Sequence, residues 1–261
     1  MVADLSDKAL AVNRAQLALG HEVIETEGAM LVRDRRVPDI WDANHITAVS
    51  AATAPDIERL LARVEHEFAG CGHRRFDLDF TTPPAFEAQL ALDGYERADF
   101  LVMVLTGELC RTATPHDLRV IDDEAGWSAY TALKQLEWQE LAARRRLSGV
   151  EAVGTALARS YRMKSPPVRY YLAAIGGRPC GYFSAWEGCD GVGQVEDLFV
   201  ASEFRHRGVA TALIERCVAD CRAHGVAPIA LVCDASDTPK HMYAALGFRP
   251  VAVKREYLRR L

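Results

Sequence analysis

The chain has 261 residues, 49% of them apolar and 26% charged, with a formal net charge of −5. That balance excludes a disordered or collagen-like chain, and a pI near 5.9 without a basic stripe interleaved with aromatics argues against a nucleic-acid partner. No apolar run approaches the ~20 residues of a membrane-spanning helix, and the N-terminus lacks the basic-then-apolar order of a secretory signal, so a cytoplasmic protein with no membrane partner is expected.

Taken in chain order, Gly28–Val32 and Ile46–Val49 read as strands. Pro55–Phe68 reads as a helix, capped by Thr53, with Ile57, Leu60, Leu61, Val64 and Phe68 on one face. Arg75–Phe80 alternates as a strand, Pro84–Leu92 is a short helix ending at Gly94, and Tyr95–Leu105 is a further strand. The polar stretch Thr106–His116 is the best boundary, dividing the chain into domains at residues 1–112 and 113–261. Beyond it come a short strand, Leu118–Ile121, and two helices, Glu124 to about Leu141 and about Gly149 to Tyr161. Val168–Ile175 and Cys180–Trp186 flank the Gly176-Gly177 turn of a predicted hairpin. Strand Val195–Val200, helix Val209–His224, strand Ile229–Cys233, helix Pro239–Leu246 and strands from Phe248 complete the chain.

Two further features bear on organisation. Residues 1–113 carry 11 Lys/Arg against 19 Asp/Glu, and residues 114–261 carry 20 against 17, which places any anion-binding work in the second half. The order strand–helix–strand–helix–strand also occurs in both halves, superposing at a constant offset of about 153 positions as expected of a divergent repeat. The seven cysteines form no CxxC pair and suggest free thiols in a reducing compartment. Cys217 and Cys221, four apart on a helix, lack further ligands and are read as small buried hydrophobes, with no metal expected.

The segment richest in chemistry is Val195-Glu-Asp-Leu-Phe-Val200 followed by Arg205-His-Arg-Gly208-Val-Ala210. A strand enters a short basic loop that opens a helix, and helix N-terminal amides with two arginines suit a pyrophosphate. There is no GxxxxGK[ST] and no GxGxxG, which argues against a P-loop NTPase or a dinucleotide-binding fold.

Arg205-x-x-Gly208-x-Ala210 resembles the acyl-CoA motif of the GNAT N-acetyltransferase superfamily. Tyr243-Ala-Ala-Leu-Gly247-Phe248 is similar to a second motif of that family at the matching separation. The resemblance covers residues 117–261 and implies an α/β fold of two GNAT-like units. Each would be a twisted mixed sheet flanked by helices, and only the C-terminal one would be complete.

It further implies acetyl-CoA as co-substrate. His206, Arg207, Gly208, Val209 and Ala210, with Arg205, would hold the pyrophosphate, and the backbone of Leu198, Phe199 and Val200 would hold the pantetheine arm. Ser236 stands where the family often has Asn and can still donate a hydrogen bond to that arm. Glu196 is the expected general base, with Asp197 its rival; strand alternation would let only one face the cleft. Tyr243 is the expected acid for the leaving thiol.

The acceptor is expected to be a small-molecule or peptide amine bound between the helices Glu124–Leu141 and Gly149–Tyr161 and along Val168–Trp186, a region holding Trp138, Glu140, Arg144, Arg145, Arg146, Tyr170, Tyr171 and Trp186. A homodimer is left open. Two rival functions are a non-catalytic acyl-CoA sensor and an acetyltransferase of low-molecular-weight thiol biosynthesis. In the first half the offset puts Ala43, Ala52, Ala54, Pro55 and Leu90 where Glu196, Arg205, Arg207, Gly208 and Tyr243 stand. Every proposed chemical residue is lost there, so that half is expected not to bind CoA.

Overall fold

The structure, a computed structural model, describes residues 2–145 and 152–261; Arg146 and the predicted helix start at Gly149 lie outside the described residues. In chain order the first elements are α1 (Val2–Ala18), β1 (Glu22–Thr26), β2 (Ala29–Arg33), β3 (His45–Thr47), α2 (Ala54–Glu67), β4 (His73–Leu78), α3 (Pro84–Leu92) and β5 (Glu96–Leu105). They are followed by β6 (Asp117–Val120), α4 (Glu124–Arg145), α5 (Val153–Arg162), β7 (Arg169–Ile175), β8 (Arg178–Cys189) and β9 (Val192–Val200). The chain ends with α6 (Val209–Ala223), β10 (Ile229–Asp234), α7 (Pro239–Leu246) and β11 (Arg249–Arg260).

Two compact units result, residues 1–103 with 232–242 and 250–261, and residues 104–231 with 243–249. In the first, the hydrogen-bonded order is β1-β2-β3-β4-β11-β5. β1, β2 and β3 pair antiparallel, β3 and β4 parallel, and β4 and β11 antiparallel, making a mixed sheet. Residues 250–261, which the sequence reading assigns to the second domain, thus supply a strand lying between β4 and β5.

The sheet's apolar face closes on α2 and α3 through Ile46, Ile57, Leu60, Val64, Phe76 and Leu90. Because side chains alternate along a strand, Arg75 and Asp77 point the other way from Phe76. They are buried all the same: Arg75 Nε lies 3.0 Å from Asp77, and Lys254 Nζ lies 2.9 Å from the other Asp77 oxygen. Burial opposes ionisation, but these two cations hold the Asp77 carboxyl well below the usual carboxylate range.

Sequence reading gave no element to α1, whose apolar stripe is interrupted by buried Ser6, Asn13 and Gln16. It also missed β1, a largely exposed strand whose apolar content is two residues in five.

The second unit has the order β10-β9-β8-β7-β6. β6 to β9 pair antiparallel, and β9 pairs parallel with β10 at Gly193–Ile229 and Gln194–Ala230. A parallel pair occurs in each unit, β3–β4 in the first and β9–β10 in the second, with a helix between the two strands. The series β3-α2-β4-α3-β5 returns as β9-α6-β10-α7-β11, as the repeat predicts. Helix α6 buries Leu213, Ile214, Cys217 and Cys221, so the two cysteines act as small core residues. Helices α4 and α5 cross at Gly154, where a Cβ would stand 2.7 Å from the Gln135 Cα.

Candidate active site

The site-bearing strand β9 is irregular. Ser184 of β8 faces Glu196 and Tyr182 faces Phe199, so three steps along β9 oppose two along β8. This is a bulge, and Asp197 within it adopts φ 70°. The period-two alternation expected across Glu196 and Asp197 is interrupted at this residue. The Glu196 carboxylate accepts from the Gln194 amide at 3.0 Å, and its carbonyl accepts from the Ser184 hydroxyl at 2.7 Å. The Asp197 carboxylate pairs with Lys134 of α4 and accepts from the Tyr130 hydroxyl at 2.6 Å. Beyond Gln194, β9 has no described partner in the β10 register, so the backbone of Leu198 to Val200 presents an edge on that side, while Phe199 and Val200 bury their side chains.

After β9 a single 3-10 turn, Ser202–Phe204, leads into the loop. Arg205 braces this loop. Its Nε donates to the Val200 carbonyl at 2.9 Å and its guanidinium pairs with Glu140. Glu140 also accepts from the Ser202 amide at 2.9 Å. Arg207 is exposed, with its guanidinium 5.5 Å from the Phe204 ring centre and no carboxylate partner among the described residues. Its carbonyl accepts from His116 Nε2 at 2.9 Å.

His206 and Gly208 both have positive φ, 61° and 82°. Two left-handed residues two apart curl the backbone so that its N–H groups converge. Gly208 caps α6 without a side chain, and the first described acceptor contact is Ala212 N–H to the Gly208 carbonyl at 3.0 Å. The amides of Val209, Ala210 and Thr211 therefore lack intrahelical partners and face the loop at the positive end of a 15-residue helix.

Tyr243 is buried on α7, its ring 6.1 Å from Phe248 in an edge-on arrangement. It belongs to the same unit as β9 and the loop. Ser236 belongs to the other unit, where its amide and hydroxyl donate to one Asp234 oxygen at 2.7 and 2.6 Å.

A groove of about 460 Å³ runs along α4 and α5 between Trp127, Thr131, Gln135, Thr155 and Arg159. Of the residues flagged for the acceptor, Tyr170 and Tyr171 are core, while Trp138, Glu140 and Trp186 are half-buried. Sequence reasoning missed the polar residues on α4 that reach the site. Tyr130, Lys134 and Glu137 recur at helical spacing, and Lys134, 3% exposed, lies on the buried face beside Leu133. A lysine at helical spacing from a buried tyrosine was the available signal. Among the described residues no group of three or more His, Cys, Asp or Glu is placed to hold a metal, and no helix is long and apolar enough to cross a membrane.

Residues 130–248 match the model of the acetyltransferase (GNAT) family. None of the curated proteins matches the chain in sequence. Among solved structures, a conserved protein of unknown function from Staphylococcus epidermidis ATCC 12228 is similar in fold, with TM-score 0.71 at 13% identity over 92% of this chain and 94% of that one. A GCN5-related N-acetyltransferase from Kribbella flavida gives 0.66 at 15% identity over 98% and 95%. A tandem GNAT protein from the clavulanic acid biosynthesis pathway gives 0.61 at 15% identity over 91% and 81%. The loop-to-helix geometry lies inside the matched segment, so residues 130–248 carry an acetyltransferase (GNAT) family domain, which supports an acyltransferase enzyme.

Proposed function

We propose that the second unit transfers an acetyl or other short acyl group from acyl-CoA to a primary amine, by direct attack in a ternary complex. The observation that carries this reading is the α6 N-terminus, with its uncapped amides at Val209 and Ala210 and the exposed Arg207, which has no carboxylate partner among the described residues, beside two left-handed residues. That cradle fits a pyrophosphate. The edge of Leu198 to Val200 suits a pantetheine arm laid down as an added strand.

Bound acyl-CoA supplies an activated thioester carbonyl. Glu196 takes a proton from the amine, directly or through water, so that a neutral nitrogen lone pair attacks. The new C–N bond forms as the C–S bond breaks, the nitrogen sheds its second proton to solvent as the amide forms, and Tyr243 gives the departing sulfur a proton or a hydrogen bond. No acyl-enzyme is needed. The acceptor is a small-molecule or peptide amine, and the seven free thiols support a cytoplasmic setting.

The first unit is read as not holding CoA. Helix α2, the counterpart of α6, is capped by Thr53, whose side chain accepts from the Asp56 amide, and it has proline in its first turn. Proline removes a donor and Asp56 repels an anion.

Thiol release from acetyl-CoA against a panel of amines tests the reading, and calorimetry should give one acetyl-CoA per chain. Tyr243→Phe and Glu196→Gln should each lower kcat by about 100-fold while leaving acetyl-CoA binding. Binding without thiol release on any amine would leave the sensor reading instead.

A further inference from the structure

A buried polar cluster of the second unit lies beneath the β9 bulge. The Lys134 ammonium, from the middle of α4, bonds the Asp197 carboxylate and donates to Glu137 at 2.7 Å. It also sits 4.9 and 5.0 Å from the ring centres of Tyr161 and Tyr182. Tyr130 donates to the second Asp197 oxygen at 2.6 Å, and Tyr182 donates to Glu137 at 2.7 Å. Lys134 and Asp197 are 3% and 9% exposed at the side chain.

A buried ion pair is a weak source of stability, because two charges must leave water, and its best attested use is to fix a register. Asp197 is the residue whose register is at stake. Its φ of 70° is what lets three β9 steps oppose two on β8. If the bulge moved along the strand by one residue, side chains between the old and new positions would change face. Besides the Ser184 hydroxyl on the Glu196 carbonyl, the side-chain contacts made at the bulge come from Tyr130 and Lys134 of α4.

We propose that Lys134, acting through Asp197, is a positioning residue for acyl transfer: it pins the β9 bulge and so sets the side on which Glu196 and the Leu198 to Val200 backbone are presented. The proposal rests on the acyl-CoA reading of that strand.

The test uses the full chain with Lys134→Met, Asp197→Asn and the double variant. It reads Tm, the KM and kcat for acetyl-CoA, and hydrogen exchange of amides 195–200. Lys134→Met strands a buried carboxylate and should lose stability. The double variant removes both charges and should regain most of the native Tm. Its acetyl-CoA KM should nonetheless stay raised at least fivefold and exchange over 195–200 should stay faster than native. Native KM and native exchange in the double variant would make the pair merely structural and overturn the proposal. Should the native chain release no thiol with any amine, the function reading falls, and exchange in the double variant still decides the pinning: fast exchange upholds it and native exchange overturns it.

Discussion

Arg205 and Glu140 form an ion pair that ties the loop before α6 to α4. The two arginines of the motif therefore have different work. Arg205 is neutralised and shapes the loop, while Arg207 has no carboxylate partner among the described residues. Arg207→Ala should raise the acetyl-CoA KM by about fivefold, near 1 kcal/mol. The effect should shrink as salt is added, because exposed charge is screened. Arg205→Ala and Glu140→Ala should act alike, and the double variant should be no worse than either, since both remove one brace. Additive losses in KM would show that Arg205 contacts the ligand directly.

Gly208 combines a φ of 82° with a Cβ direction that ends 3.4 Å from His116 Nε2. A left-handed alanine costs about 1 kcal/mol, and relaxing it would turn the α6 amides away from the loop. Gly208→Ala should raise the acetyl-CoA KM several-fold while Tm falls by no more than a few degrees. Isothermal titration with acetyl-CoA, run beside thermal unfolding, checks the split.

How much of this was readable in advance follows from the range of the interactions. Helix α2, its Thr53 cap and the Gly208 start of α6 are local, written within a few residues, and legible. The repeat was legible because spacing survives when identity does not. The bulge at Asp197 was not, since the extra residue shows only when β8 is laid beside β9. Nor were the partners of Asp197 and Arg205, which come from Lys134 and Glu140 more than 60 positions away. Strand β11 reads as a strand, but nothing local says that it lies between β4 and β5.

Asp34 offers a test by pH. Burial opposes its charge, yet the side-chain and backbone bonds from Arg36, and the His21 ring at 3.0 Å, lower its carboxyl to about 2. The folded pKa lies below the unfolded value of 3.8. Stability from this group is therefore fully present above about pH 4 and lost as the pH falls through about 2, near 2 kcal/mol in all. Asp34→Asn should be less stable by about that amount at pH 7, and the difference from native should close near pH 2. A difference that stayed constant across that range would mean that Asp34 contributes through packing.

The crossing of α4 and α5 sets the last expectation. At Gly154 a Cβ would lie 2.7 Å from Gln135 Cα and 2.8 Å from the Lys134 carbonyl. Both are backbone atoms, so no side chain can swing away and the helices must part. Forcing that costs about 1–3 kcal/mol, which lowers Tm by a few degrees for a unit of this size. Gly154→Ala should thus lower the unfolding transition of the second unit and leave that of the first in place, which calorimetry can resolve. The displacement also moves the backbone that carries Lys134, the partner of Asp197. Acetyl-CoA KM should rise together with the loss of Tm, and a variant that loses Tm while keeping native KM would separate the helix crossing from the bulge that Lys134 pins.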